Sequence, residues 1–230
     1  MANATLGARI KDLIGFDYTS NSIITEDEAL EVACAEMIDS LPVETLLDNA
    51  VVPNAMLSGD ATFDITGKKV LRVIRYEQTP AIARSCSEIE IEDFKSWTVD
   101  AQSLYHPTRY SPVYAIDPET GSSILKVFPV ISGSTEDAAD TAKVYYVSYP
   151  TGADLDTLAD GKIAGIPKEA EHAIALRAAM YILDTMISDK IQDDEDQEMM
   201  QMLQAQKGNL QQTYQIEMGR LGGGKQTNED

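Results

Sequence analysis

The chain has 230 residues, of which 43% are hydrophobic and 24% charged, a composition typical of a globular protein that buries a core of its own. Its 38 acidic residues outnumber its 18 basic residues, and the formal net charge at pH 7 is −20. A surface this acidic repels phosphates, which argues against binding to nucleic-acid backbones or anionic membranes. Cys34 and Cys86 form neither a disulfide framework nor a zinc motif, and no stretch resembles a signal peptide or a membrane span. We therefore expect a soluble protein made in a reducing cytoplasm.

Residues 1–55 are predicted to supply the N-terminal helices of a bundle. A short amphipathic helix is predicted over 5–14. A second helix begins after Thr25, because Glu28 follows three residues later, which is the spacing of a capping box. Pro42 ends or kinks this helix, and VETLLDNA adds about two turns. The apolar stripe of the second helix consists of Leu30, Ala33, Met37 and Leu41.

Residues 56–150 are predicted to form an inserted β-rich region. Five or six strands are expected, and their short connections favour antiparallel pairing. PETG predicts a hairpin turn, whereas TPAIARSC and SLYHPTRYSP are predicted as long loops. The strand candidates are the segment around Phe63 and Ile65, KVLRVIRY, SEIEIEDF, PVYAID, SSILKVFPV and AKVYYVSYP.

Helical periodicity returns within residues 151–192, after a polar linker. Pro167 suits the first position of a helix, and Glu169 and Glu171 complement the positive end of its dipole. Apolar residues then cover most of the helix circumference, so we expect this helix to be buried on several sides, partly against the helix at 25–41. The predicted fold is therefore α+β: a helical bundle formed by N- and C-terminal helices, an inserted antiparallel β-sheet region, and an extended C-terminal helix and tail.

Residues 193–230 are predicted to form that last helix and a flexible tail. DDED at 193–196 lacks the ligand spacing of a calcium loop and instead favours a helix start. The apolar stripe that follows is thin, and Gly208 weakens the helix in its middle. We interpret this stripe as a docking surface that is buried on another chain. Its residues are Met199, Leu203, Leu210, Tyr214, Met218 and Leu221.

The sequence contains no recognisable catalytic motif. HExxH, GxSxG and CxxC are absent, and His172 is predicted to have a packing or surface role. We therefore predict no catalytic residue, no metal ligand, no cofactor and no enzymatic activity. The loop with Tyr105, His106, Arg109 and Tyr110 differs, because Tyr and Arg are favoured at protein interfaces. It is either an ordinary structured loop or a contact with a neighbouring subunit.

The order of the elements resembles that of the head-to-tail adaptor, or connector, proteins of tailed bacteriophages. The local resemblance lies in IPKEAEHAIALRAAMYIL, residues 166–183, where an Ile-Pro pair and an acidic first turn open an Ala-rich apolar helix. A helical N-terminus, a β-rich middle and a long polar C-terminal helix extend the resemblance along most of the chain. The β-rich insertion is larger here than in the smallest adaptors.

The resemblance implies a structural protein of the virion, made in the host cytoplasm and located in the neck. It implies a homo-oligomeric ring, usually of twelve copies, that joins the portal protein of the capsid to a tail or nozzle protein. The last helix would bind the portal, and DNA would pass through an acidic channel without specific binding. No membrane is involved.

Three alternatives remain open from the sequence. The chain is another head-completion or tail-end component of a phage, a carboxylate-based hydrolase with its site in the β-rich region, or a cytosolic scaffold module. Converging carboxylates that bind a divalent metal would favour the hydrolase, and absence from virions would favour the scaffold.

Overall fold

The computed structural model describes residues 6–16, 18, 24–48, 54–56, 62–77, 82–99, 102–119, 122–129, 141–151, 163, 165–192 and 197–222. The chain forms two compact units, which are a helical unit of Met1–Asn49 with Tyr149–Asp230 and a β unit of Ala50–Ser148. The β unit is therefore an insertion in the sequence of the helical unit. The predicted α+β fold with a C-terminal helix is confirmed. The predicted DDED helix start, most of the predicted linker and the tail beyond 222 lie outside the described residues.

Among the described residues, the helical unit contains five α-helices. They are α1 (Leu6–Ile14), α2 (Glu26–Ser40), α3 (Val43–Leu47), α5 (Glu171–Gln192) and α6 (Gln197–Gly222), while α4 (Ile91–Val99) belongs to the β unit. The predicted capping box at the start of α2 is confirmed, since the Glu28 backbone N–H donates to the Thr25 hydroxyl and the Thr25 N–H donates to the Glu28 carboxylate. Helix α2 ends before Pro42, as predicted.

Helix α5 is the centre of the helical unit and packs against α1, α2 and α6. Five alanines between 170 and 179 are fully buried. Because their side chains are small, the neighbouring helices can pack closely against α5. The prediction of a helix buried on several sides, with α2 as one partner, is confirmed. Pro167 is not the first residue of the α-helix as expected, because it caps a 3₁₀ turn at Lys168–Ala170 that leads into α5.

The β unit contains two four-stranded sheets within the described part of the chain. The strands are β1 (Asn54–Met56), β2 (Thr62–Asp64), β3 (Lys68–Glu77), β4 (Ile82–Ser85), β5 (Ser87–Glu88), β6 (Val113–Glu119), β7 (Ser122–Phe128) and β8 (Thr141–Ser148). One sheet has the order β1-β8-β3-β4 and the other has the order β2-β7-β6-β5. All pairs are antiparallel, as predicted, except that β5 pairs with β6 in parallel.

The chain passes between the two sheets at two short connections. The turn from β2 to β3 uses Gly67, whose φ of +66° favours glycine. Only Cys86 separates β4 of one sheet from β5 of the other. Each connection contributes one residue, Ile65 or Cys86, to a buried apolar cluster. The same cluster contains Val73 and Val144 of one sheet and Leu125 and Val127 of the other. The two sheets are therefore held together by one hydrophobic core.

Two segment predictions in the β-rich region are wrong, and the eight strands among the described residues exceed the five or six that were expected. SEIEIEDF was predicted as a strand, but only Ser87–Glu88 is a strand, and the helix α4 begins at Ile91. Glu92 and Asp93 suit the first turn of a helix, and the spacing of Ile91, Phe94 and Trp97 repeats every three residues. TPAIARSC was predicted as a loop but contains β4. The hairpin of β6 and β7 is confirmed, with Glu119 opposite Ser122.

Candidate interaction surfaces

Helix α6 packs against α5 of the same chain. Leu203 is fully buried and Leu210 is only 5% exposed. The interpretation that these two residues await a partner chain is therefore wrong. A stripe with few apolar residues still suffices for burial here, because α5 offers an apolar surface on several sides.

Polar contacts fix α6 at three points along its length. The amide of Gln206 donates to the carbonyl oxygen of Leu13, at the end of α1, over 2.8 Å. Lys207 forms an ion pair with Asp184 of α5. Farther along, the guanidinium carbon of Arg177 lies 5.9 Å from the centroid of the Tyr214 ring. These contacts hold α6 against α1 and α5 over residues 206–214.

The other predicted docking residues differ from Leu203 and Leu210 in burial. Met199, Tyr214, Met218 and Leu221 are only partly buried. Burial raises the pKa of the Tyr214 hydroxyl, although the positive charge of Arg177 acts in the opposite direction. The large apolar side chains that α6 exposes are instead Met202 and Ile216. Neither Met202 nor Ile216 was among the predicted docking residues.

A second surface lies on the β unit, at the segment 102–111, which we call the Tyr–Arg loop. His106 anchors this loop, because its Nδ1 lies 2.9 Å from the Trp97 carbonyl oxygen at the end of α4. The His106 ring also contacts Phe128 of β7 edge-on, with the ring centroids 5.4 Å apart. The predicted loop is therefore ordered, and His106 holds its base rather than its exposed rim.

The rim of the Tyr–Arg loop exposes large side chains. Tyr105 stacks on Trp97 with the ring centroids 5.3 Å apart, yet it remains 68% exposed. Leu104, next to it, is 100% exposed. Val99, the last residue of α4, is also exposed. Isolated exposed apolar residues are common, but three of them within the seven residues 99–105 make this rim a candidate interaction surface.

Tyr110 has two arginines as neighbours. The guanidinium carbons of Arg84 and Arg109 lie 5.0 Å and 4.8 Å from the centroid of its ring. Arg109 also donates from Nη2 to the Tyr110 hydroxyl over 2.8 Å. Such cation–π contacts orient the guanidinium groups. Arg109 is exposed, whereas Arg84 is half-buried and its Nε is buried without a hydrogen-bond partner among the described residues. Of the four predicted contact residues, the structure brings Arg109 and Tyr110 together, and it adds Arg84, which the sequence placed in a different loop. Tyr105 is exposed in the same loop but stacks on Trp97.

An acidic groove lies at the other end of α4. It has a volume of about 630 Å³ and is lined by Glu88, Ile89, Glu90, Ile91, Asp93 and Ile116. The Tyr114 hydroxyl donates to Glu88 over 2.9 Å, and burial together with this carboxylate raises the pKa of Tyr114. Glu90 and Asp93 are exposed at the edge of the groove. The groove thus combines isoleucines with carboxylates.

Among the described residues, no group of three or more His, Cys, Asp or Glu side chains is placed to hold a metal ion. His172 is exposed in the first turn of α5.

Burial raises the pKa of the Cys34 thiol to about 12 and that of Cys86 to about 11. In the same described part of the chain, no helix combines the length and hydropathy that crossing a bilayer requires.

No model of a known protein family matches the chain. No curated protein is significantly similar to it in sequence. The resemblance to phage adaptors therefore depends on the order of the elements and on residues 166–183.

Proposed function

We propose that the chain is a structural protein of a tailed-phage virion, an adaptor that forms a ring between the portal and the tail. The observation that carries this proposal is the division of the chain into a helical unit and an inserted β unit with an exposed aromatic rim. A joint between two different components needs a separate surface for each of them. The helical unit would bind the portal, and the Tyr–Arg loop of the β unit would bind a neighbouring subunit or the tail.

The burial of Leu203 and Leu210 changes the expected contact with the portal. A portal would meet the outward side of α6, where Met202 and Ile216 are exposed. Methionine suits such a contact, because its unbranched side chain adapts to the shape of a partner. The helix stays on its own chain and presents its outer surface.

The net charge of −20 is compatible with a channel for DNA. A ring of such chains repels the phosphate backbone, so DNA passes without being held. Non-specific DNA binding typically uses a broad basic surface, which a chain with 38 acidic and 18 basic residues is poorly suited to supply. The proposed ring therefore leaves DNA passage to the geometry of the channel.

The proposal is tested by locating the chain in particles of the phage whose genome encodes it. Antibodies raised against the purified chain are expected to label the junction of head and tail in electron micrographs. Labelling elsewhere on the particle would indicate a different head-completion or tail-end component. Absence of the chain from purified virions would overturn the proposal of a virion protein.

The portal contact is tested by substitutions on the outward side of α6. Met202→Gln combined with Ile216→Gln is expected to reduce binding to the portal protein encoded by the same genome by about tenfold or more. Gln211→Ala, at an exposed polar position on the other flank of the same helix, is the matched control. Because all three positions are exposed, thermal unfolding should be almost unchanged. Full portal binding by the double variant would exclude this side of α6.

A further inference from the structure

The rim of the Tyr–Arg loop has a composition that is unusual for a free surface. Leu104, Tyr105 and Tyr110 lie within seven consecutive residues, and all three are exposed. Val99 adds a fourth large apolar side chain at the adjoining end of α4. We call these four residues with Arg84 and Arg109 the aromatic patch. Aromatic and arginine side chains together are typical of the centre of a protein interface.

Arg109 is the exposed arginine of the patch and is available to an anionic partner, whereas Arg84 is half-buried with its Nε out of solvent. Neither Arg84 nor Arg109 forms a salt bridge with any carboxylate of the described residues. Each instead lies against the ring of Tyr110, which fixes its position. The chain has 38 acidic and 18 basic residues, so its electrostatic potential is negative on average. Two neighbouring arginines without a carboxylate partner in the described part of the chain make the potential locally more positive.

The acidic groove is complementary to this patch. Its isoleucines offer apolar surface to Leu104 and Tyr105, and its exposed Glu90 offers a carboxylate to Arg109. The groove contains Ile91 and Asp93 of the first turn of α4, whereas the patch adjoins the last turn. The nine residues of α4 separate these ends by about 12 Å, at 1.5 Å per residue. One molecule therefore presents both complementary surfaces at different places.

We propose that the aromatic patch of one copy binds the acidic groove of a second copy. Leu104 and Tyr105 pack on the isoleucines of the groove, and Arg109 pairs with Glu90 of the other molecule. The contact is heterologous, since the two copies use different surfaces. Each copy in a pair keeps one unused patch or groove, so the contact repeats from head to tail and closes into a ring when the rotation allows it.

A second copy is the occupant that the charges favour. Two molecules that each carry −20 repel one another, so their association needs a place where opposite charges meet. The patch and the groove supply such a place within a single sequence. This inference does not depend on the adaptor proposal, because self-association is measured on the purified chain alone.

Disulfide trapping tests the direction of the contact. Leu104→Cys and Glu90→Cys are prepared separately, mixed and oxidised, and a disulfide-linked dimer is expected in the mixture. Each variant alone should form at least about tenfold less dimer, because like surfaces do not meet. The native thiols do not interfere, since Cys34 and Cys86 are buried. Met202→Cys, an exposed position on α6, replaces Leu104→Cys in the control mixture.

Equal amounts of dimer in the test and control mixtures would overturn the proposal. Predominant dimer from Leu104→Cys alone would overturn it as well, because the patch would then meet a second patch.

A charge exchange tests the pairing of Arg109 with Glu90. Sedimentation equilibrium should show that Arg109→Glu and Glu90→Lys each raise the dissociation constant for self-association about tenfold or more. The double variant should recover most of the affinity, since the two charges are exchanged. Lys11→Glu is the control for altered net charge, because this exposed residue lies on α1 of the helical unit and belongs neither to the patch nor to the groove. A double variant no better than either single variant, or a wild-type chain that stays monomeric at every concentration, would overturn the inference.

The outcomes for this contact and for the proposed function are distinguishable. Self-association through the patch with no label at the head–tail junction would retain this inference and overturn the adaptor proposal. Labelling at the head–tail junction by a chain that forms no patch-to-groove disulfide would retain the adaptor proposal and overturn this inference.

Discussion

Arg177 of α5 donates two hydrogen bonds to the carboxylate of Glu36 on α2, from Nε over 2.6 Å and from Nη2 over 3.2 Å. The Tyr181 hydroxyl also contacts this carboxylate. The guanidinium lies over the rings of Tyr181 and Tyr214, at 4.6 Å and 5.9 Å from their centroids. One arginine thus contacts residues of α2, α5 and α6. The two hydrogen bonds to one carboxylate hold the guanidinium in place. An ion pair stabilises a fold most in this bidentate geometry.

Removing this arginine should loosen the contact among the three helices. We expect Arg177→Met to lower the free energy of unfolding by about 1–2 kcal/mol, an amount limited by the partial exposure of both charged groups. Urea unfolding followed by circular dichroism measures the loss. In a double-mutant cycle with Glu36→Gln, a coupling of about 1 kcal/mol is expected. A coupling near zero would show that the pair contributes nothing to stability.

The same carboxylate should affect the stability of the chain in acid. The hydrogen bonds from Arg177 lower the pKa of Glu36 below its usual value of 4.5. A carboxyl group with a lowered folded-state pKa contributes stability that is complete above its unfolded pKa and is lost as the pH falls through the folded one. We therefore expect Glu36→Gln to reduce the loss of stability below about pH 4.5. Urea midpoints measured from pH 7 to pH 3 test this, and parallel curves for both proteins would contradict it.

Adjacent residues of α6 should respond differently to truncation. Leu203 is fully buried, so Leu203→Ala is expected to lower the free energy of unfolding by about 2–5 kcal/mol. Met202 is 55% exposed, and Met202→Ala should change it by less than about 0.5 kcal/mol. Thermal unfolding of the purified chain compares the two variants. Equal, small effects would restore the interpretation that α6 is buried only on a partner.

The turn between β2 and β3 should depend on Gly67. Its φ of +66° lies in the left-handed region, and an ordinary L-residue there costs about 1–2 kcal/mol. Gly67→Ala should therefore destabilise the chain by that amount, although its Cβ meets no atom within 4 Å. Asn tolerates this conformation better, so Gly67→Asn is the matched variant and should cost less. If Ala and Asn are equally harmless in urea unfolding, the backbone at this turn differs from the one described.

Gly208 offers the opposite case, a glycine whose replacement should stabilise the chain. It lies inside α6, is exposed, and leaves open space for a Cβ. Gly208→Ala is expected to add about 0.5–1 kcal/mol, since alanine favours the helix and restricts the unfolded chain. Gly219→Ala, near the end of the same helix, should add less because the last turn frays. A lower melting temperature for Gly208→Ala would contradict a continuous helix at this point.

The elements with strong local signals could be predicted from the sequence. The capping box of Thr25 and Glu28 involves residues three apart, and the apolar circumference of α5 is visible in one segment. Strand β4 and the extent of β5 could not be predicted in this way. Their strand geometry depends on pairing with β3 and β6, which the local pattern does not contain. The alternation of Ile89 and Ile91 was too short to distinguish a strand from the start of a helix.

The candidate surfaces were predicted only in part, for a similar reason. Tyr105, Arg109 and Tyr110 could be recognised by residue type within one loop. Arg84 joins them through a contact across 26 positions of sequence, which no local pattern reveals. For α6 the number of apolar residues was a misleading guide, because burial also depends on how much apolar surface α5 provides. A short stripe is enough when its neighbour is apolar on several sides.

The pairing of β1 with β8 places Asn54 opposite Val144, so the chain enters and leaves the β unit on neighbouring strands. A module whose two ends are this close can be lengthened, exchanged or deleted while the helices on either side keep their connection. Substitutions or insertions in the β unit should therefore alter its surface without breaking the connection between the helices that flank it in sequence.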